Sequence, residues 1–202
     1  MKKILAFALV AMMAGSAMAS WGLWGTDGSF STVTIDGVGQ SLTAFDAADL
    51  GTFDLTLDTM IFSAIDVKTY KNGLSDVNNA DYFYTIYSGT RPATPTFTMV
   101  DGGWLSDIGG GDQTWGATGM TVDLLDYAGL TAGTTYTLEI YGQITGNDDG
   151  NAANNYSQYD NNNNAPANYT ATFSTAAVPE PATMSLLGLG ALAMVLRRKI
   201  RK

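Results

Sequence analysis

Between residues 30 and 173 the apolar side chains recur at every second position, in short runs broken by glycine, proline, asparagine and aspartate. A period of two puts alternate side chains on opposite faces of an extended strand, so one face of each run can be buried while the other meets water. Phe53, Leu55 and Leu57 share one parity in the run 51–58, against Thr52, Asp54 and Thr56. Ile61, Ile65 and Val67 do the same in 61–70, and Tyr82, Tyr84 and Ile86 in 81–87. The pattern returns at Phe97 and Met99, at Met120, Val122 and Leu124, at Tyr136, Leu138 and Ile140, and at Tyr169, Ala171 and Phe173. With Phe30–Ile35 the runs predict about eight strands. The expected fold is all-β, a two-sheet antiparallel β-sandwich. No long helix is expected between residues 20 and 177, only a short turn within Leu42–Leu50.

One local pattern agrees with that architecture. Leu130-Thr-Ala-Gly-Thr-Thr-Tyr136 resembles the tyrosine corner of Greek-key sandwiches such as fibronectin type III domains. The resemblance implies that the Tyr136 hydroxyl bonds back to the connection before it and that its role is structural.

Composition removes whole classes of chemistry. The 202 residues include no cysteine and no histidine. Disulfides, thiolate nucleophiles and cysteine or histidine zinc sites are therefore excluded, as is a Ser-His-Asp triad. Two carboxylates alone can hydrolyse a glycoside, but the acid partner needs an apolar pocket or a like charge to raise its pKa. Asp123, between Val122 and Leu124, reads as the one isolated acid in an apolar run, and alternation turns it outward. The chain is accordingly expected not to be an enzyme. Seven of its ten bases lie at the two ends. Residues 20–177 keep only Lys68, Lys71 and Arg91 against 18 acids, a formal charge of −15. Such a surface repels phosphate backbones and argues against nucleic-acid binding.

The ends read as addresses. Lys2 and Lys3, an apolar run from Ile4 to Met13, and small residues ending in Ala17-Met18-Ala19 form a secretory signal peptide over residues 1–19. Signal peptidase is expected to recognise Ala17 and Ala19 and to cut before Ser20. At the other end, Val178, Pro179, Glu180 and Pro181 precede an uncharged stretch from Ala182 to Leu196, followed by Arg197, Arg198 and Lys199. As a helix, that stretch would reach about 22 Å at 1.5 Å per residue, short of a bilayer core unless flanking residues and local thinning make up the difference. The basic cluster belongs on the cytoplasmic side. Pro179 and Pro181 disfavour helix at the residues before them and keep the motif extended.

Residues 178–202 resemble a PEP-CTERM sorting tail: the Val-Pro-Glu-Pro motif, a short apolar span and a terminal Arg/Lys cluster, in that order. Many members carry an aromatic where this chain has Met184. The resemblance implies recognition by an exosortase, a membrane-embedded transpeptidase-like enzyme of Gram-negative bacteria that make extracellular polysaccharide. It implies a transient inner-membrane anchor, cutting near Pro179-Glu180-Pro181, and delivery to the cell surface or extracellular matrix.

Two loops within the body could hold a ligand. Residues 101–115 combine Trp104 and Trp115 with Asp101, Asp107 and Asp112. Indole faces beside carboxylates suit a sugar ring, whose C–H face stacks while its hydroxyls donate; the alternative is that Trp115 is core and Trp104 covers a sheet edge. Residues 147–168 hold nine asparagines, and Asn147, Asp148, Asp149 and Asn151 offer the hard oxygens that calcium accepts. They lack the EF-hand spacing, so a polar hairpin loop without cofactor is the first expectation and calcium the second. Trp21 and Trp24 are expected to pack against the body. The expected function is a secreted, exosortase-processed protein with a structural or adhesive role linked to exopolysaccharide, or alternatively a carbohydrate-binding module.

Overall fold

The structure, a computed structural model, describes residues 20–25, 28–162 and 168–178. The expected signal helix (1–19) and membrane helix (182–196) lie outside those residues. The described residues form eleven strands: β1 (Ser20–Leu23), β2 (Ser31–Ile35), β3 (Val38–Ser41), β4 (Ala48–Phe53), β5 (Ile61–Asn72), β6 (Asp76–Ser88), β7 (Thr98–Gly109), β8 (Asp112–Asp123), β9 (Thr135–Asn147), β10 (Tyr156–Asp160) and β11 (Tyr169–Thr175). A single helical turn, α1 (Leu42–Phe45), links β3 to β4. The all-β expectation therefore stands.

The count and the sheet arrangement differ from the expectation. One ladder runs β3-β2-β5-β8-β7-β6-β9-β11-β4, with β1 added beside β5 and β10 beside β9. Instead of two separate sheets, a single sheet curls on itself, and β7 carries it round the bend. Ala80↔Gly102 closes the pairing with β6, and Gly103↔Gly116 opens the pairing with β8. The bend needs glycine. A Cβ on Gly102 would lie 2.4 Å from the Ala80 carbonyl oxygen, and one on Gly116 would lie 2.2 Å from that of Ile65. One pairing is also parallel, β4 with β11.

The three strands beyond the expected eight are β1, β3 and β10, short segments whose alternation is weak. Residues 101–109, rich in glycine, lengthen β7 beyond the expected run. Conversely, the run 51–58 leaves the sheet after Phe53. Leu57 N–H and Asp58 N–H both donate to the Asp54 carbonyl oxygen, turning the chain, and Leu57 ends 82% exposed.

Most inward parities build one core, with two further departures: a register shift between Phe62 and Ala64 turns Phe62 inward in place of Ile61, and Met99 is exposed. Phe62, Ile65 and Val67 face Tyr82, Tyr84 and Ile86, with Leu138, Ile140 and Phe173 beside them. Phe62 meets Tyr84 edge-on at 5.8 Å, and Tyr136 stacks on Phe173 at 5.5 Å. Each such side chain contributes about 1.5–3 kcal/mol through burial. The Tyr82 hydroxyl donates to the Trp115 carbonyl oxygen at 2.9 Å, tying β6 to β8 through the core; burial pushes its pKa well above the ordinary tyrosine value.

Where the strands that face each other do not pair, polar side chains join them. Gln158 in β10 accepts from Leu23 N–H (3.3 Å) and donates to the Trp21 carbonyl oxygen (3.1 Å), doing for β1 what a neighbouring strand would do. Asp160 accepts from the Ser31 and Tyr169 hydroxyls, linking β2, β10 and β11. Leu42 and Phe45 of α1 are fully buried.

Candidate functional site

The strands give the domain two distinct ends. Residues 54–60, 89–97 and 124–134 lie with the C-terminal end of β11 at one end. The β5–β6, β7–β8 and β9–β10 connections lie at the other, with Ser20, whose N–H donates to Asn72 Oδ1 at 2.9 Å. β9, with 13 residues, runs most of the distance between them, about 40 Å at 3.3 Å per residue.

The tail leaves from the first end. Val178 is exposed, and the rest of the expected sorting motif, Pro179, Glu180 and Pro181, lies outside the described residues, as do Arg197, Arg198, Lys199, Ala17 and Ala19. Among the described residues no helix is long and apolar enough to cross a membrane. Here also the tyrosine-corner hydrogen bond forms, with Thr131 N–H donating to the Tyr136 hydroxyl at 2.8 Å.

Both candidate ligand loops lie at the far end. Trp104 and Trp115 face each other across β7 and β8, yet Trp115 is 8% exposed and Trp104 is 53% exposed. Asp107 Oδ1 accepts from Trp104 Nε1 (3.4 Å) and from Gln113 Nε2 (3.2 Å), while Gln113 Oε1 accepts from Trp115 Nε1 (3.2 Å). Trp104, Asp107 and Trp115 are thus brought together, with Gln113 as the link that sequence reading missed. Asp112, which starts β8 across from Gly109, takes no part in this chain of bonds. Trp115 is core, and Trp104 alone keeps an indole open to solvent.

The oxygens at 147–151 are turned to holding the β9–β10 loop. Asp149 accepts from Asn151 N–H (3.0 Å) and Asn154 Nδ2 (2.6 Å), which lowers its pKa, and Asn151 Oδ1 caps the short turn Ala152–Asn154. Asp148 accepts from the Tyr156 hydroxyl at 3.0 Å. Asn147 is buried; its amide donates to Asn155 Oδ1, and its own Oδ1 has no hydrogen-bond partner among the described residues. Among those residues, no three acidic side chains gather as a metal site would require. Of the two N-terminal indoles, Trp21 is buried, 4.9 Å from the Tyr156 ring, whereas Trp24 stays 45% exposed and meets Phe30 edge-on.

Two acids depart from the sequence reading. Asp123 does not simply point outward: its Oδ1 accepts from Met60 N–H and Leu125 N–H, both at 3.0 Å. Glu139 stands between Leu138 and Ile140, the same kind of apolar run, and was overlooked. It is fully buried under the β6–β7 connection, where Arg91 grips it with two bonds of 2.8 and 2.7 Å and Asn168 donates a third at 2.7 Å. Burial pushes the Glu139 pKa up, but the Arg91 and Asn168 bonds outweigh it and the net shift is downward.

A β-rich domain whose last described strand ends two residues before a proline-flanked apolar and basic tail is laid out as an exported protein sorted through its C-terminal segment. Residues 177–199 match the family described as the PEP-CTERM protein-sorting motif. The chain thus carries a PEP-CTERM sorting motif, which implies export and targeting to an exosortase. No curated protein matches it.

Proposed function

We propose that this protein is a non-enzymatic surface or matrix component, held briefly in the inner membrane by its tail, cut near Pro179-Glu180-Pro181, and deposited with exopolysaccharide in a structural or adhesive role. The observation that carries the reading is the sorting motif beginning at residue 177, directly after a final strand that is fully paired in the sheet. A tail joined this closely to a folded body makes the body the delivered cargo. The intact mass of the mature protein tests both ends at once: a product starting at Ser20 and ending within residues 178–181 supports the reading, and surface material still ending in Lys202 overturns it. Deleting residues 178–202 should abolish surface deposition.

A second reading has one observation in its favour. Trp104, midway along β7, presents a half-exposed indole with the Asp107 carboxylate beside it, on the strand that leads to the far-end β7–β8 turn. That pairing suits a sugar ring, and its position would keep it outward while the tail is still anchored. In this reading the domain is a carbohydrate-binding module. Binding to the host's own polysaccharide that is lost in Trp104→Ala would favour it, and repeating the measurement with a chelator tests the calcium variant at Asn147–Asn151.

A further inference from the structure

The tail end of the domain is held by hydrogen bonds almost to the sorting motif. Ala176 N–H donates to the Phe53 carbonyl oxygen at 2.7 Å, and Gly133 N–H donates to the carbonyl oxygens of Thr175 (3.1 Å) and Ala176 (3.2 Å). The Thr175 hydroxyl donates to the Thr131 carbonyl oxygen at 2.6 Å and accepts from Thr134 N–H at 3.0 Å. Only Ala177 and Val178 then separate Ala176 from Pro179. Fully extended, those three steps reach about 10 Å. An active site that takes in residues 179–181 must therefore bring its rim against the folded domain.

What that rim meets is a shaped surface. Ala176, Ala177 and Val178 border a cleft of about 220 Å³ with Asp54, Leu55, Thr56 and Ala132. The turn beside it is preorganised: Asp54 Oδ1 accepts from Thr56 N–H (2.8 Å) and the Thr56 hydroxyl (2.7 Å), and Asp58 Oδ2 accepts from Asp54 N–H (2.7 Å). The next side chain in the turn, Leu57, is the most exposed large apolar residue described, and Val178 is 69% exposed. Resting on the sorting reading above, we infer that the turn 54–58 and its cleft form a docking surface for the membrane-embedded processing enzyme. The short tether sets that contact, and Leu57 and Val178 are its apolar points.

Pulse-chase of the full chain, in a host possessing the processing enzyme, reads this as the rate at which precursor becomes product, with intact mass locating the cut. Leu57→Asp should slow conversion about fivefold or more, the loss expected when one central contact is removed. Inserting about six glycine and serine residues between Val178 and Pro179, an added reach of about 20 Å, should reduce that difference to less than about twofold. Wild-type conversion by Leu57→Asp at native spacing overturns the docking surface, as does equal slowing with and without the insertion. Faster conversion by Thr175→Val at native spacing also overturns it, because the strand end would then have to peel away for cutting. A wild-type product cut away from residues 179–181 would instead overturn the sorting reading, whatever Leu57 does.

Discussion

Among the described residues each end of the domain carries one ion pair, and the two are built differently. Near the tail, Arg91 makes two bonds to a Glu139 carboxylate that has no solvent contact. At the far end, Lys71 meets Asp76 at 2.7 Å with both side chains partly in water. The first pair fastens the long β6–β7 connection over the outer face of the sheet, where Phe97 also packs edge-on against Tyr141 at 5.1 Å. The second sits beside a tight hairpin that needs no fastening. Charge is a fastener only where water is excluded, because a buried carboxylate must keep its partner, whereas an exposed one exchanges it for water at little cost. The end from which the tail leaves is thus pinned, and the far end is held by turns.

The largest expected break in that contrast is Arg91→Ala. It strands a buried carboxylate and should cost about 3–5 kcal/mol in urea unfolding. Its pH dependence gives the sharper test. The Glu139 pKa is depressed in the folded protein, so its contribution is fully present above the unfolded value of about 4.3 and is lost as pH falls through the folded value. In Arg91→Ala, burial with no cation beside it and only the Asn168 bond left pushes the folded pKa upward, and lowering the pH should relieve part of the loss. Wild-type stability that stays level on acidification through this window would contradict the assignment.

Next in size is Thr175→Val, which removes a hydroxyl bonded to both Thr131 and Thr134. Leaving these groups unpaired should cost about 1–3 kcal/mol, read as a lower thermal midpoint. Lys71→Ala should cost less than about 1 kcal/mol, and most of that should vanish in high salt. Trp104→Ala, at a half-exposed position, should change stability by about 0.5 kcal/mol or less. A larger loss on either far-end substitution would show that this end is fastened as firmly as the other.

Much of the core could be read directly. Tyr82, Tyr84, Ile86, Leu138, Ile140 and Phe173 face inward as their alternation requires. The reading failed where composition masked alternation. Glycines at 102 and 103 looked like a loop, yet they let β7 pass from one neighbour to the next. Residues 147–168 read as one polar hairpin loop, yet β10 lies among them. It failed in the other direction at Leu55 and Leu57, whose parity is sound but whose chain turns away after Phe53. At the far end, Trp104, Asp107 and Trp115 were legible as a group. That only one of the two indoles is open to solvent was not, because facing residues on paired strands differ in exposure according to what covers each.

The residues alone determined that this chain is all-β, that its body is acidic and lacks cysteine and histidine chemistry, and that a sorting tail closes it. These depend on local period, on side-chain inventory and on a contiguous motif, none of which needs a folded partner. Tertiary structure decided that the sheet is one curled ladder, that Arg91 holds Glu139, and that the tail's tether is two residues long on a firmly bonded end. Those depend on which strands approach one another and which groups lose water when they do, and contacts between residues far apart in the chain leave no periodic trace in it.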